Sequence, residues 1–325
     1  MQNKVSIISS ASIVGRKEGE GPLSNHFDLI LEDSEWGEES WEKTESKLQR
    51  ESVLTAIRKA NIAQNQLNYI FAGDLLNQCI GSVFGLRDLA VPFFGLFGAC
   101  STMAEGISLG AMVTDGGFSD YCACVTSSHF CTAERQFRMP LEYGGQRPST
   151  SQWTVTGSGA VILSNCGGGP YVGYVTAGKI IDMGIKDPNN MGAAMAPAAV
   201  DTLIAHFNDT GRKPDFYDLI VSGDLGSVGK SIVIEMMQKS GYSMKNYNDC
   251  GCMIFDLDKQ QVNAGGSGCG CGAATLCGYI LENMKNKTYK NVLFMATGAL
   301  MSPTTTLQGE SIPSIAHAIS ISNDF

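Results

Sequence analysis

Phe97-Gly98-Ala99-Cys100-Ser101-Thr102-Met103-Ala104-Glu105-Gly106 is the stretch on which the fold turns. Residues 89–97 before it form an apolar run, and two small residues follow. Ser101, Thr102 and Glu105 have the chemistry of a helix start, and Met103, Ile107 and Ala111 continue an apolar helical face. Cys100 therefore falls at a strand-to-helix junction. A helix start presents unpaired N–H groups and the positive end of the helix dipole. A thiol there is expected to shift toward thiolate, and an anion is expected to find donors. Gly98 and Ala99 leave room for a ligand to approach the backbone.

Outward from this junction the chain alternates strands and helices. Residues 5–12, 67–72 and 121–125 read as strands, residues 43–60 as a helix, and Thr126-Ser127-Ser128-His129 as the exit loop of a strand. The second half repeats the rhythm. Strands are expected at 171–177, 218–222, 292–296 and 317–322, and helices at 193–207, 231–239 and 273–284. This predicts an α/β fold in two halves, 1–166 and 167–325, duplicated in rhythm without a visible sequence repeat. Residues 16–42 interrupt the pattern as an acidic surface excursion bearing Trp36 and Trp41. Those two rings cap the core or, less simply, meet a partner.

Composition narrows the function. Hydrophobic residues make up 43% and charged residues 17% of 325, an ordinary globular balance. The net charge of −9 argues against general nucleic-acid binding. Residues 16–51 carry eleven acids against five bases and so hold most of it. No apolar run is long enough for a membrane helix, and the N-terminus lacks the pattern of a signal peptide. The eleven cysteines read as reduced, small apolar residues. Cys250/Cys252 and Cys269/Cys271 are spaced too tightly for the usual zinc pairs, so no metal is expected.

Three segments together resemble the thiolases and β-ketoacyl synthases. They are the Cys100 stretch, Thr156-Gly157-Ser158-Gly159-Ala160-Val161-Ile162-Leu163, and Asn263-Ala264-Gly265-Gly266-Ser267-Gly268-Cys269-Gly270-Cys271-Gly272-Ala273. A closer resemblance is carried by four segments: Thr126-Ser127-Ser128-His129, Glu134-Arg135-Gln136-Phe137-Arg138-Met139-Pro140, Glu142-Tyr143-Gly144-Gly145-Gln146-Arg147-Pro148 and Gln152-Trp153-Thr154-Val155-Thr156-Gly157. On these residues the chain is similar to the stage V sporulation protein AD family of spore-forming bacteria. The resemblance implies a thiolase-like, duplicated five-layer αβαβα fold. It also implies binding of dipicolinic acid and a part in its uptake into the developing spore. The partners would be other proteins of the same transport assembly, with the protein peripheral to the spore inner membrane.

The enzyme pattern fails in the second half. The Gly-His position of the late glycine loop reads Gly268-Cys269. The other loop, Ser222-Gly223-Asp224-Leu225-Gly226, has no histidine, and the last thiolase cysteine is missing near Thr297-Gly298-Ala299-Leu300. Cys100 is therefore expected to be a vestigial nucleophile position in a non-catalytic binding protein. The alternative is an acyl-transferring enzyme using Cys100, with His129 as its one available base. Dipicolinate is a planar dianion, so its site should offer N–H donors, hydroxyls and cations. The candidates are Cys100 for the N–H donors, Thr126, Ser127 and Ser128 for hydroxyls, and His129 at the pocket mouth. Arg138 and Arg147, with Arg135 near them, are the candidate cations. No cofactor is expected, and calcium would enter only with dipicolinate. Thiolase-like proteins commonly pair through the first half, so a homodimer is an open expectation.

Overall fold

The computed structural model describes residues 1–138 and 147–325, so the resemblance-bearing residues 139–146 lie outside the described residues. In chain order the strands are β1 (Ser6–Val14), β2 (Leu29–Ile30), β3 (Tyr69–Gly73), β4 (Phe93–Gly95), β5 (Tyr121–Ser128), β6 (Trp153–Thr154), β7 (Gly157–Ser164), β8 (Tyr171–Thr176), β9 (Leu219–Ser222), β10 (Tyr247–Asp249), β11 (Gly266–Ser267), β12 (Asn291–Ala299) and β13 (Ser314–Ser322). The main sheet runs β10-β9-β12-β13-β8-β1-β7-β5-β3-β4.

That order is a palindrome of two five-stranded units. In each, the first strand lies antiparallel to the fifth and the fifth antiparallel to the fourth. The fourth runs parallel to the second, and the second parallel to the third. The units meet through one pair, Ser6 opposite Tyr171. The duplication thus lives in topology, where a chain can conserve layers after its side chains have diverged.

Helices fill three layers around the two units. Trp41–Ala60 covers the outer face of the first unit, against β1, β7 and β5. Ser40 caps its N-terminus by accepting from the Lys43 N–H, and Asn61 ends it in the left-handed conformation. Met191–Thr210 and Gly226–Lys239 cover the second unit. Between the units lie Thr102–Asp115 and the helical run that starts at Cys269. The first packs on β5 as well as on β12 and β13, and the second on β7 and β5. The Cys269 run passes through a π-helical turn at Leu276–Ile280. One buried cluster, including Met103, Ile107, Val161, Leu276 and Phe294, joins these central helices to both units. The layers therefore alternate αβαβα, as expected, with Cys100 just before one central helix and Cys269 the first residue of the other.

The acidic excursion is more structured than expected. Arg16–Gly19 is helical, and Leu29–Ile30 extends parallel to the end of β1. Its anchor is Glu18, fully buried, whose Oε1 accepts the Thr156 N–H at 3.0 Å.

Candidate functional site

The turn before the first central helix is wound tightly. Ala99 takes a left-handed φ of 50°. The Ser101 N–H and hydroxyl both donate to the Gly98 carbonyl, at 3.0 and 2.7 Å. The Thr102 hydroxyl donates to the Ala99 carbonyl at 2.6 Å and accepts the Gly98 N–H at 3.1 Å. This elbow presses on the second half: a Cβ on Gly298 of β12 would lie 2.1 Å from the Gly98 carbonyl oxygen. Glycine at 298 is what lets the two halves close around Cys100.

The residue facing the Cys100 thiol is Asp224, from the loop between β9 and the helix Gly226–Lys239. Asp224 is fully buried. Its Oδ2 accepts the Gly268 N–H at 2.9 Å and the Ser267 hydroxyl at 3.3 Å, and its Oδ1 accepts the Thr297 hydroxyl at 3.0 Å. One carboxylate thereby ties its own loop to the late glycine loop and to strand β12. Asp249 holds the same loop from below, accepting the Leu225 and Gly226 N–H groups at 2.8 Å each.

Arg138 completes the group. It donates to the Ser267 hydroxyl at 2.7 Å and the Gln152 carbonyl at 3.2 Å, while its buried Nε has no partner among the described residues. Burial first, and then the Asp224 carboxylate, push the Cys100 thiol well above its ordinary range, with Arg138 pulling weakly the other way. The expected drift toward thiolate is therefore overturned. The helix start is present, but desolvation and an adjacent acid outweigh it. Burial also raises the pKa of Asp224, against the hydrogen bonds from its neighbours and the charge of Arg138.

The other expected ligand residues are placed differently. The Thr126 hydroxyl donates to the Cys269 carbonyl at 3.3 Å. The Ser127 hydroxyl donates to Glu45 at 3.1 Å and accepts from Gln49 at 2.8 Å. The Ser128 hydroxyl donates to the Val155 carbonyl at 2.7 Å and accepts the Gly270 N–H at 3.1 Å. All three are spent inside the fold, where they satisfy buried backbone and side-chain groups. His129 is also corrected. Its Nδ1 caps the helix Phe130–Gln136 by accepting the Cys131 N–H at 3.2 Å, and its Nε2 meets the Ser34 carbonyl at 2.9 Å. Both nitrogens are engaged away from Cys100, so a Cys100–His129 pair does not form.

The remaining histidines are equally committed. His26 pairs with Glu282, His206 lies between Thr176 and Tyr217, and His317 accepts the Gly178 N–H. Arg147 lies beside Arg138. It pairs with the buried Glu134 at 2.7 Å and rests 5.0 and 5.2 Å from the stacked Phe130 and Trp153 rings. Arg135 instead pairs with Glu42, toward the excursion.

The structure thus brings together Cys100, Arg138 and Arg147 from the expected set. It adds Asp224, Ser267 and Gln152, which sequence reasoning missed. The signal for Asp224 is a carboxylate inside a glycine-flanked turn directly after a buried strand.

The family model of stage V sporulation protein AD matches residues 1–322. The stage V sporulation protein AD of Bacillus subtilis (strain 168) is 43% identical over 319 residues, covering 98% of this chain and 94% of that protein. Among solved structures, a variant of OleA from Xanthomonas campestris superposes with a TM-score of 0.63 at 13% identity, covering 99% of this chain and 98% of that one. The 3-oxoacyl-[acyl-carrier-protein] synthase III of Aquifex aeolicus VF5 gives a TM-score of 0.60 at 12% identity, covering 98% and 99%. At such identities the two structures speak to the fold, which is that of the thiolase-like condensing enzymes. With a family match over nearly its whole length, the chain belongs to the stage V sporulation protein AD family.

Proposed function

We propose that the chain binds dipicolinic acid at the Arg138–Cys100–Asp224 group without chemically altering it. It would serve the uptake of that compound into the developing spore. The observation that carries this reading is Arg138 beside a protonated thiol, with a buried N–H that has no partner among the described residues. The charge of Arg147 reaches Arg138, so this second guanidinium, now paired with Glu134, would meet the other carboxylate of the ligand by exchanging that partner. The flat Phe130–Trp153 stack under Arg147 suits a planar ring nearby. Asp224, with its raised pKa, can take a proton when a dianion arrives and so avoid repelling it.

Catalysis is disfavoured because no imidazole reaches Cys100 and the carboxylate beside it opposes thiolate formation. The acyl-transfer alternative draws support from the fold alone, since its neighbours are condensing enzymes. Intact-mass measurement after incubation with acyl thioesters separates the two, because only the enzyme would carry an acyl group on Cys100.

The wider role follows the family: partnership with other proteins of the sporulation transport assembly, at the surface of the spore inner membrane. Among the described residues no helix is long and apolar enough to cross a membrane, so attachment would run through a partner. Calcium would enter as a bridge between the dipicolinate carboxylates. A homodimer is supported by the edge strand β4, where Phe93 and Phe94 are exposed, as are Phe84 and Phe97 in the flanking segments.

A crystal soaked with dipicolinic acid tests the site. The expected density places carboxylates on Arg138 and Arg147. Ligand bound elsewhere, with this group empty, would contradict the assignment.

A further inference from the structure

The short helix Phe130–Gln136 holds both guanidiniums of the proposed site. Just past its end, the Arg138 N–H donates to the Ala133 carbonyl at 3.0 Å. Arg147 pairs with Glu134 of the same helix at 2.7 Å. Whatever seats this helix therefore sets where the two cations stand. Its buried tie is Thr132, whose hydroxyl oxygen lies 2.7 Å from Glu45 Oε2 on the helix Trp41–Ala60.

The same hydroxyl oxygen lies 2.9 Å from the His129 carbonyl. A hydroxyl has one hydrogen, and neither a carbonyl nor a carboxylate has one to give. Two contacts of this length need two hydrogens. Glu45 supplies the second as a neutral acid: its Oε2–H donates to Thr132, and Thr132 donates to the His129 carbonyl. Its Oε1 then accepts the Ser127 hydroxyl at 3.1 Å, while Ser127 accepts from Gln49 Nε2 at 2.8 Å. As a carboxylate, Glu45 competes with the His129 carbonyl for the single Thr132 hydrogen, and the first turn of the short helix loses that bond.

The surroundings favour the neutral acid. Glu45 is fully buried. The ionisable groups facing it are Asp74 from the turn after β3, Glu42 one turn back on its own helix, and the Cys269 thiol, none of them a cation. The charges of the short helix are spent elsewhere, Glu134 on Arg147 and Arg135 on Glu42. His129 spends its ring nitrogens on Cys131 and Ser34. Asp74, which accepts the Leu76 and Ser82 N–H groups, is linked to Glu45 by a relay through the Ser82 hydroxyl, the Gln49 amide and the Ser127 hydroxyl. Ionising Glu45 puts a second carboxylate at the far end of this buried relay, where like charges repel with little screening. Burial, and then Asp74, raise Glu45 to about 8.

We infer that Glu45 is a positioning residue that acts as a proton switch: its neutral form seats the helix Phe130–Gln136, with Arg138 and Arg147, and its ionised form unseats it. The ligand in this inference rests on the dipicolinate reading; the switch itself rests on the Glu45–Thr132–His129 hydrogen bonds. By linkage, a ligand held on those guanidiniums tightens the hold of Glu45 on its proton. Affinity is then full below the pKa of Glu45 and falls as pH rises through it.

Two readouts on the full chain keep the switch and the ligand separable. The first needs no ligand: hydrogen exchange across Phe130–Gln136 at pH 7 and pH 9, corrected for intrinsic rates, with the helix Met191–Thr210 as reference. Relative protection of the short helix should fall by roughly fivefold or more in the unaltered chain. It should hold in Glu45→Gln, whose amide keeps a hydrogen toward Thr132 at either pH. The second is calorimetry with dipicolinic acid, whose affinity should fall by roughly fivefold from pH 7 to pH 9 in the unaltered chain and much less in Glu45→Gln. Asp224, Asp249 and Glu18 stay in every variant, so the difference belongs to Glu45. Thr132→Ser should keep the pH dependence and Thr132→Val should lose it, which guards against misreading a folding defect. A helix that still switches in a chain binding no dipicolinate would support the switch and overturn the dipicolinate reading alone. Equal pH dependence of helix protection in Glu45→Gln and the unaltered chain would overturn the switch.

Discussion

The Asp224 carboxylate pushes the Cys100 thiol further up after burial, and it is held in place by the Gly268 N–H and the Thr297 hydroxyl. A nucleophile position is thus faced by a negative group where an activating base would be needed. Asp224→Asn removes that charge and should lower the Cys100 pKa. Burial, the larger cause, remains, so the thiol stays above its ordinary range. Iodoacetamide at fixed pH should modify Cys100 faster in the variant, by roughly tenfold for each unit of pKa released. Peptide mass mapping over time reads this directly, and an unchanged rate would show that Asp224 does not govern the thiol.

A second buried acid sets the pH response of the fold. Glu45 accepts hydrogen bonds from Ser127 and Thr132, yet burial, and then Asp74, push it up to about 8. Glu18 and Asp249 are each raised by burial to about 7. Between the ordinary carboxylate pKa and these values the folded chain binds more protons than the unfolded one, so stability falls as pH rises. The penalty from Glu45 is absent below about pH 4.5 and complete above about pH 8. Glu45→Gln should raise the melting temperature at pH 9 by several degrees and change it little at pH 5, on the order of a few kcal/mol at the higher pH. Equal shifts at both pH values would count against this ionisation.

Closure of the elbow can be probed at Gly298. A methyl group there meets the Gly98 carbonyl oxygen. Gly298→Ala should cost about 1–3 kcal/mol in urea unfolding, the range for forcing an extra carbon into a packed interior. A change below about 0.5 kcal/mol would mean the two halves have slack at this contact.

The edge strand predicts assembly. Phe94 is 50% exposed and stacks on Phe71 at 5.1 Å, which leaves one ring face open. If β4 pairs with its copy, Phe94→Asp should shift the protein from dimer to monomer in sedimentation velocity. A protein that is already monomeric at micromolar concentration would rule out this interface.

Local elements were largely legible in the sequence, because period and turn chemistry act over short distances. The helix over 43–60 is found at Trp41–Ala60, and the strand over 121–125 at Tyr121–Ser128. Glycine misleads at element ends. The helix expected from 231 starts at Gly226, and the one expected from 273 starts at Cys269, since tight packing rather than propensity sets those turns. Cys100 and Arg138 were legible through the family resemblance. Asp224 was not, because its role depends on two loops and strand β12 meeting from far apart in sequence. Nor was the use of Ser127 and His129 as internal fasteners, since a hydroxyl or an imidazole reads the same whether it faces a ligand or a buried neighbour. The strand order β10-β9-β12-β13-β8 mirrored by β1-β7-β5-β3-β4 is a long-range property that no local pattern encodes.

In the proposed site Arg138 anchors a dicarboxylate beside Cys100. Isothermal titration calorimetry with dipicolinic acid, with and without calcium, tests it most directly on the unaltered chain and on Arg138→Gln. Saturable binding with one site per chain is expected, weakened at least roughly tenfold by Arg138→Gln. Absence of binding by the correctly folded chain in both conditions, or equal binding by Arg138→Gln, would contradict it.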